Sequence, residues 1–163
     1  MVRCRRSEVS FNDFNRFNDF NIPMKKHSLK PSEKERIIET LSSHILRQRE
    51  DITAAYLFGS FITSEAFSDI DLAVLTQIHL VGPLTFELDI ERELEKICNY
   101  SVDVRVLNAA PLSFCQNVIR EGRVIVDREP NFRSDFAGKT LKLYFDLARF
   151  RSRYLAEVIN APV

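Results

Sequence analysis

Leu57-Phe58-Gly59-Ser60-Phe61, followed closely by Ser68-Asp69-Ile70-Asp71-Leu72-Ala73-Val74, is the stretch that decides the fold. The apolar run Ala54 to Phe58 ends at a Gly-Ser pair, and the run Ile70 to Leu75 begins inside an acidic pair, so both read as strands bounded by punctuating residues. Asp69 and Asp71, two apart on a strand, point to one face while Ile70, Leu72 and Val74 point to the other and bury. Two carboxylates on one desolvated face repel each other unless a cation neutralises them, and all-oxygen ligation suits Mg2+ better than zinc. A glycine at the end of a strand lets a phosphate approach the backbone, and a serine opening the next helix offers a hydroxyl and free N–H groups to an anion.

Working outward, Ser32 and Glu35 stand at capping-box spacing before Ile37, Ile38, Leu41 and Ile45, which predicts a first helix from Ser32 to about Gln48. Pro83 opens a second, with Phe86, Ile90, Leu94 and Ile97 at helical spacing. Val102, Val104 and Val106 then alternate with Asp103 and Arg105 as a third strand. Pro111 starts another helix that stops at Gly122, Val124 to Val126 is a fourth strand, and a long amphipathic helix over roughly 136–159 closes the chain. The class is α/β or α+β: a small mixed sheet of about four strands covered by helices. Asp103 is the only acid on its strand. If that strand lies beside the second, Asp103 completes a carboxylate trio of the kind two-metal phosphoryl or nucleotidyl transfer needs, although pairing with Arg105 is its plain alternative.

Residues 1–31 differ in kind. Phe11, Phe14, Phe17 and Phe20 recur every third residue, each followed by asparagine, a period that fits neither helix nor strand. The segment reads as a disordered or loosely docked tail, with Met24 as an alternative natural start, and residues 32–163 as the folded domain. The 163 residues, 45% hydrophobic and 28% charged, suit one globular core, and no apolar run approaches the roughly 20 residues that span a bilayer. Arg and Lys (23) balance Asp and Glu (23), so there is no bulk positive field for nucleic acid. Cys4, Cys98 and Cys115 form neither a disulfide framework nor a zinc site, which points to a reducing cytoplasm. His27, His44 and His79 have no ligand spacing and receive no role. Arg149, Arg151 and Arg153 beside Phe150 and Tyr154 read as a charged outer face with the aromatic stems packed inward, and as a contact surface for RNA or, preferred from the family likeness given below, a partner protein.

The Gly-Ser turn, the Asp69-Ile70-Asp71 strand and Val102-Asp103-Val104 together resemble the minimal nucleotidyltransferase family of the DNA polymerase beta superfold, over about 52–126. The resemblance implies that Gly59 and Ser60 bind nucleotide phosphates, that Asp69 and Asp71 hold two Mg2+ ions, and that Asp103 holds the ion activating the nucleophile. Many members are antitoxins of HEPN-type RNase toxins, and some transfer AMP from ATP to a tyrosine of the toxin. The implied function is therefore a cytoplasmic, Mg2+- and ATP-dependent antitoxin that adenylylates its toxin. Two alternatives stand beside it: a catalytically silent antitoxin acting by binding alone, and a transferase acting on a small, aminoglycoside-like acceptor. Members commonly read GS-(F/Y)-A-R-G-E in a longer loop. Here Thr63 stands for the arginine and Ser64 for the glycine, so phosphate contacts fall to Ser60, backbone N–H groups and Thr63 or Ser64.

Overall fold

The computed structural model of the chain describes residues 26–78, 80 and 82–159; the phenylalanine–asparagine repeat, Met24, Cys4 and His79 lie outside the described residues. In chain order the elements are β1 (His27–Ser28), α1 (Pro31–Gln48), β2 (Ile52–Phe58), α2 (Ser60–Thr63), β3 (Ala66–Phe67), β4 (Ile70–Thr76), α3 (Pro83–Cys98), β5 (Val102–Val106), α4 (Leu112–Glu121), β6 (Arg123–Asp127) and α5 (Pro130–Ile159). A 3-10 turn, Leu107–Ala109, links β5 to α4. Four strands make one mixed sheet in the order β5-β4-β2-β6. β2 runs antiparallel to both β4 and β6, whereas β4 and β5 are parallel and are joined by α3 as the crossover such a pair requires.

The period-two alternation sorts the strand residues between two layers. On one face Leu57, Leu72 and Val104 pack beneath Leu41 and Ile45 of α1 and Ile90 and Leu94 of α3. On the other, Tyr56, Ala73 and Leu75 meet Cys115 and Val118 of α4 and Phe132 and Phe136 of α5. Asp71 is two residues before Ala73 and so belongs to this second face. The edge strand β5 emerges from that cover: the side chains of Asp103 and Arg105 are 43% and 47% exposed. The sheet therefore has one open corner, and the acidic residues line it.

Several boundaries differ from the sequence reading for local reasons. Helix α1 begins at Pro31, whose fixed φ suits a first helical position and holds Lys30 extended (ψ 151°). The reciprocal cap comes from Glu33, whose carboxylate accepts the Lys30 N–H at 2.8 Å, in place of the expected Ser32–Glu35 pair. Helix α5 starts at Pro130, six residues before the expected Phe136, again with proline at the first turn. Gly122 ends α4 as expected, its N–H bonded to the Val118 carbonyl at 2.8 Å. His27 and Ser28, read from sequence as part of a tail, pair antiparallel with Phe67 and Ala66. The His27 ring stacks against Phe67 and Tyr100, with centroids 5.8 and 5.0 Å away.

Candidate active site

The site is built where β2 ends, β4 begins and β5 runs alongside. Phe58 pairs with Asp71 across the β2–β4 ladder, and Asp71 pairs with Asp103 across the β4–β5 ladder. That register places the first strand's exit, the second strand's acid and the third strand's acid in one row. Asp69 sits in the turn just before β4, one residue short of the strand itself.

Gly59 adopts φ 70° and ψ −159°, a conformation essentially reserved for glycine. A Cβ there would stand 2.0 Å from Asp71 Oδ2 and 2.8 Å from its Cγ. The glycine is thus demanded twice, by its backbone angles and by the carboxylate laid against it. Burial first, then the negative charge of Asp69, then that of Asp103, push the Asp71 carboxyl up from 3.8 to about 6. Both other acids are close enough to repel it. Asp103 leans toward its own strand neighbour: Arg105 Nη2 lies 3.2 Å from Asp103 Oδ1, the ion pair that the plain reading of Asp103 anticipated.

The fit of this cluster to a divalent cation follows from its charge and donor chemistry. Asp69 and Asp103 both act on Asp71 against its ionisation, and all three carboxylates offer oxygen to a hard ion. With Asp103 drawn to Arg105, no three His, Cys, Asp or Glu side chains among the described residues converge into a ready-made metal cage.

Ser60 opens α2, a single turn whose later N–H groups are already used: Ile62 and Thr63 bond to the Gly59 carbonyl and Ser64 to that of Ser60. The Thr63 hydroxyl also donates to the Gly59 carbonyl, at 3.0 Å. It is therefore committed to the turn rather than offered to a phosphate, which corrects that part of the sequence reading. The loop does acquire a cation from a distance. Lys34 of α1 reaches over the rings of Phe61 and Phe67, 5.4 and 5.5 Å from their centroids, and its Nζ donates to the carbonyls of Phe61 (2.8 Å) and Ser64 (2.6 Å). No local motif signals this tether, because Lys34 lies 27 residues before Phe61.

Two hollows flank the row. One of about 280 Å³ lies beside Gly59 against Phe58, Phe114 and Asn117. Another of about 390 Å³ runs from Arg105 past Pro83 and Leu84 to Phe114. Phe58 and Phe114 meet edge to face at 5.4 Å and form the wall between them. Larger hollows of about 470 and 460 Å³ lie against α1, and none of these four hollows is lined by Asp69, Asp71 or Asp103.

The sequence profile described as "Polymerase beta, Nucleotidyltransferase" matches residues 35–131. No curated protein sequence matches the chain. Among solved structures, the MntA–HepT toxin–antitoxin superposes with a TM-score of 0.57 at 24% identity, covering 80% of this chain and 99% of that one. A complex of a tri-AMPylated Shewanella oneidensis HEPN toxin with its MNT antitoxin gives 0.56 at 26% identity, covering 78% and 97%. A toxin–antitoxin structure with AMP-PNP gives 0.58 at 27% identity, covering 77% and 98%.

Proposed function

Because the chain belongs to the polymerase beta nucleotidyltransferase family, we propose that it moves AMP from ATP to a tyrosine hydroxyl of a HEPN-type toxin and acts as that toxin's antitoxin. The observation that carries this reading is the row Gly59–Asp71–Asp103, in which the strand register puts two acids side by side and the third immediately before them. Structures similar to this chain include a tri-AMPylated HEPN toxin in complex with an MNT antitoxin and a toxin–antitoxin holding AMP-PNP, which supports both partner and nucleotide.

In this reading Asp69, Asp71 and Asp103 hold Mg2+, which supplies Lewis acidity and offsets the charge of the triphosphate. Gly59, lacking a side chain, leaves the backbone open to the phosphates, and Ser60 offers its hydroxyl. Asp103, on the exposed strand, is the carboxylate that an arriving acceptor hydroxyl meets first and to which it donates its hydrogen bond. The acceptor oxygen then bonds to the α-phosphorus as its proton passes to the Asp103 carboxylate, the α–β bridging P–O bond breaks, and pyrophosphate leaves. The proposed compartment is the cytoplasm, where ATP is abundant and the buried free thiols of Cys98 and Cys115 stay reduced. Among the described residues no helix is long and apolar enough to cross a membrane.

A second reading, neutralisation by binding alone, draws on the loop chemistry: Thr63 is committed to Gly59, and Lys34 to backbone carbonyls. The metal site itself is tested by thermal melts with millimolar Mg2+ or Mn2+ and ATP. Binding to the folded state raises the midpoint by mass action, and the rise should vanish in Asp69→Asn/Asp71→Asn. An unchanged midpoint in the wild type, or an equal rise in the variant, rejects the site.

A further inference from the structure

The edge strand β5 has no strand on its outer side, yet its outward N–H groups are not left to solvent. The Val106 N–H donates to Glu87 (2.8 Å), the Val104 N–H to Glu91 (3.0 Å) and the Val102 N–H to Glu95 (3.3 Å). The three glutamates stand four apart on α3 and therefore share one face. Four helical residues rise about 6 Å and two strand residues about 6.6 Å, so a helix running antiparallel to a strand can match every fourth carboxylate to every second amide. Helix α3 thus takes the place of a missing fifth strand. The two outer bonds at Val102 and Val104 bracket Asp103.

We propose that Glu91 and Glu95 are positioning residues: by fixing the peptides on either side of Asp103, they hold its carboxylate in register with Asp71 and so set the affinity of the site for a divalent ion. The inference rests on the metal reading of the three aspartates. Neither glutamate contacts the reacting atoms, and the Glu87–Arg105 contact at 3.5 Å joins the same row to the ion pair on Asp103. A glutamine keeps a side-chain acceptor for the amide; a leucine of similar size removes it.

The test compares wild type, Glu91→Leu, Glu91→Gln and the milder Glu95→Leu for Mn2+ binding by electron paramagnetic resonance, well below each melting midpoint, with amide exchange read at Val104 or Val102. The expected result is Mn2+ affinity at least tenfold weaker in the leucine variants, faster exchange at the matching amide, and recovery of both in Glu91→Gln. Leucine variants that melt lower but bind Mn2+ as the wild type does overturn the positioning role and leave only a stabilising one. If the wild type takes up no Mn2+, the metal reading itself fails and the positioning role falls with it, while unchanged exchange in the leucine variants shows separately that the glutamate ladder is absent in solution.

Discussion

Asp71 is crowded from three sides, by the backbone of Gly59, by Asp69 and by Asp103, and two predictions follow from that crowding. Replacing Gly59 with alanine imposes a forbidden backbone conformation, which costs on the order of 1–3 kcal/mol, and drives a methyl into the Asp71 carboxylate. Gly59→Ala should lower the chemical-denaturation midpoint clearly, and by less when made in an Asp71→Ala background, since the steric part disappears with its partner. Strict additivity in that double-mutant cycle would contradict the contact. The raised Asp71 carboxyl has the opposite linkage sign from a salt-bridged acid. Its folded-state value, about 6 against an ordinary 3.8, favours the protonated folded form. The associated stability is whole below the lower value and lost as pH rises through the upper one. In metal-free urea melts, Asp71→Asn should gain on the wild type as pH climbs across that window; a constant difference would show that Asp71 is not held in this way. That Gly59 ends a strand and that Asp71 and Asp103 sit on strands was legible in sequence, because punctuation and a strand's period of two are local signals, whereas Asp69 falls in the turn before β4. Lys34 and the α3 glutamates were not legible. A lysine 27 residues away, or a row of acids on a helix, looks like any solvated surface until the fold supplies the carbonyl or amide opposite.

At the scale of elements, every strand of the main sheet and every long helix was readable from periodicity and punctuation, because each buries a regular apolar face. The misplacements have a common cause. Pro31 and Pro130 start α1 and α5 earlier than the first apolar residue suggests, since a proline is tolerated at the first turn, where its missing N–H has no partner to lose. The β1–β3 ribbon of two residues a side is too short to carry a pattern, and it is held by the aromatic contacts of His27, Phe67 and Tyr100. Two truncations separate that ribbon from the segment before it. A chain beginning at Met24 keeps the ribbon and should unfold with the wild-type midpoint and cooperativity. One beginning at Pro31 loses both the ribbon and the Lys30 N–H bond to Glu33, and should melt lower. Loss of cooperative unfolding already at Met24 would show that the phenylalanine repeat belongs to the core.

For the whole molecule, the mixed sheet closes one face under α1 and α3, covers most of the other with α4 and α5, and leaves open the corner that carries Asp71 and Asp103. A large acceptor can reach that corner, which suits transfer to another protein. The loop weakens one element of the chemistry, since Thr63 stands where members of the family commonly carry an arginine, and its hydroxyl is already bonded to Gly59. Loss of one charged transition-state contact costs about 3 kcal/mol, roughly a hundredfold in rate, so turnover should be slow but real. Removal of one of the carboxylates proposed to hold the metal should instead abolish it. The direct measurement is the intact mass of purified HEPN toxin after incubation with this protein, ATP and Mg2+. The account predicts addition of whole AMP units by the wild type, none by Asp103→Asn, and toxin binding retained in both. A wild type that never adds that mass yet inhibits the toxin one to one, with Asp103→Asn inhibiting equally well, would contradict the enzyme and establish neutralisation by binding alone.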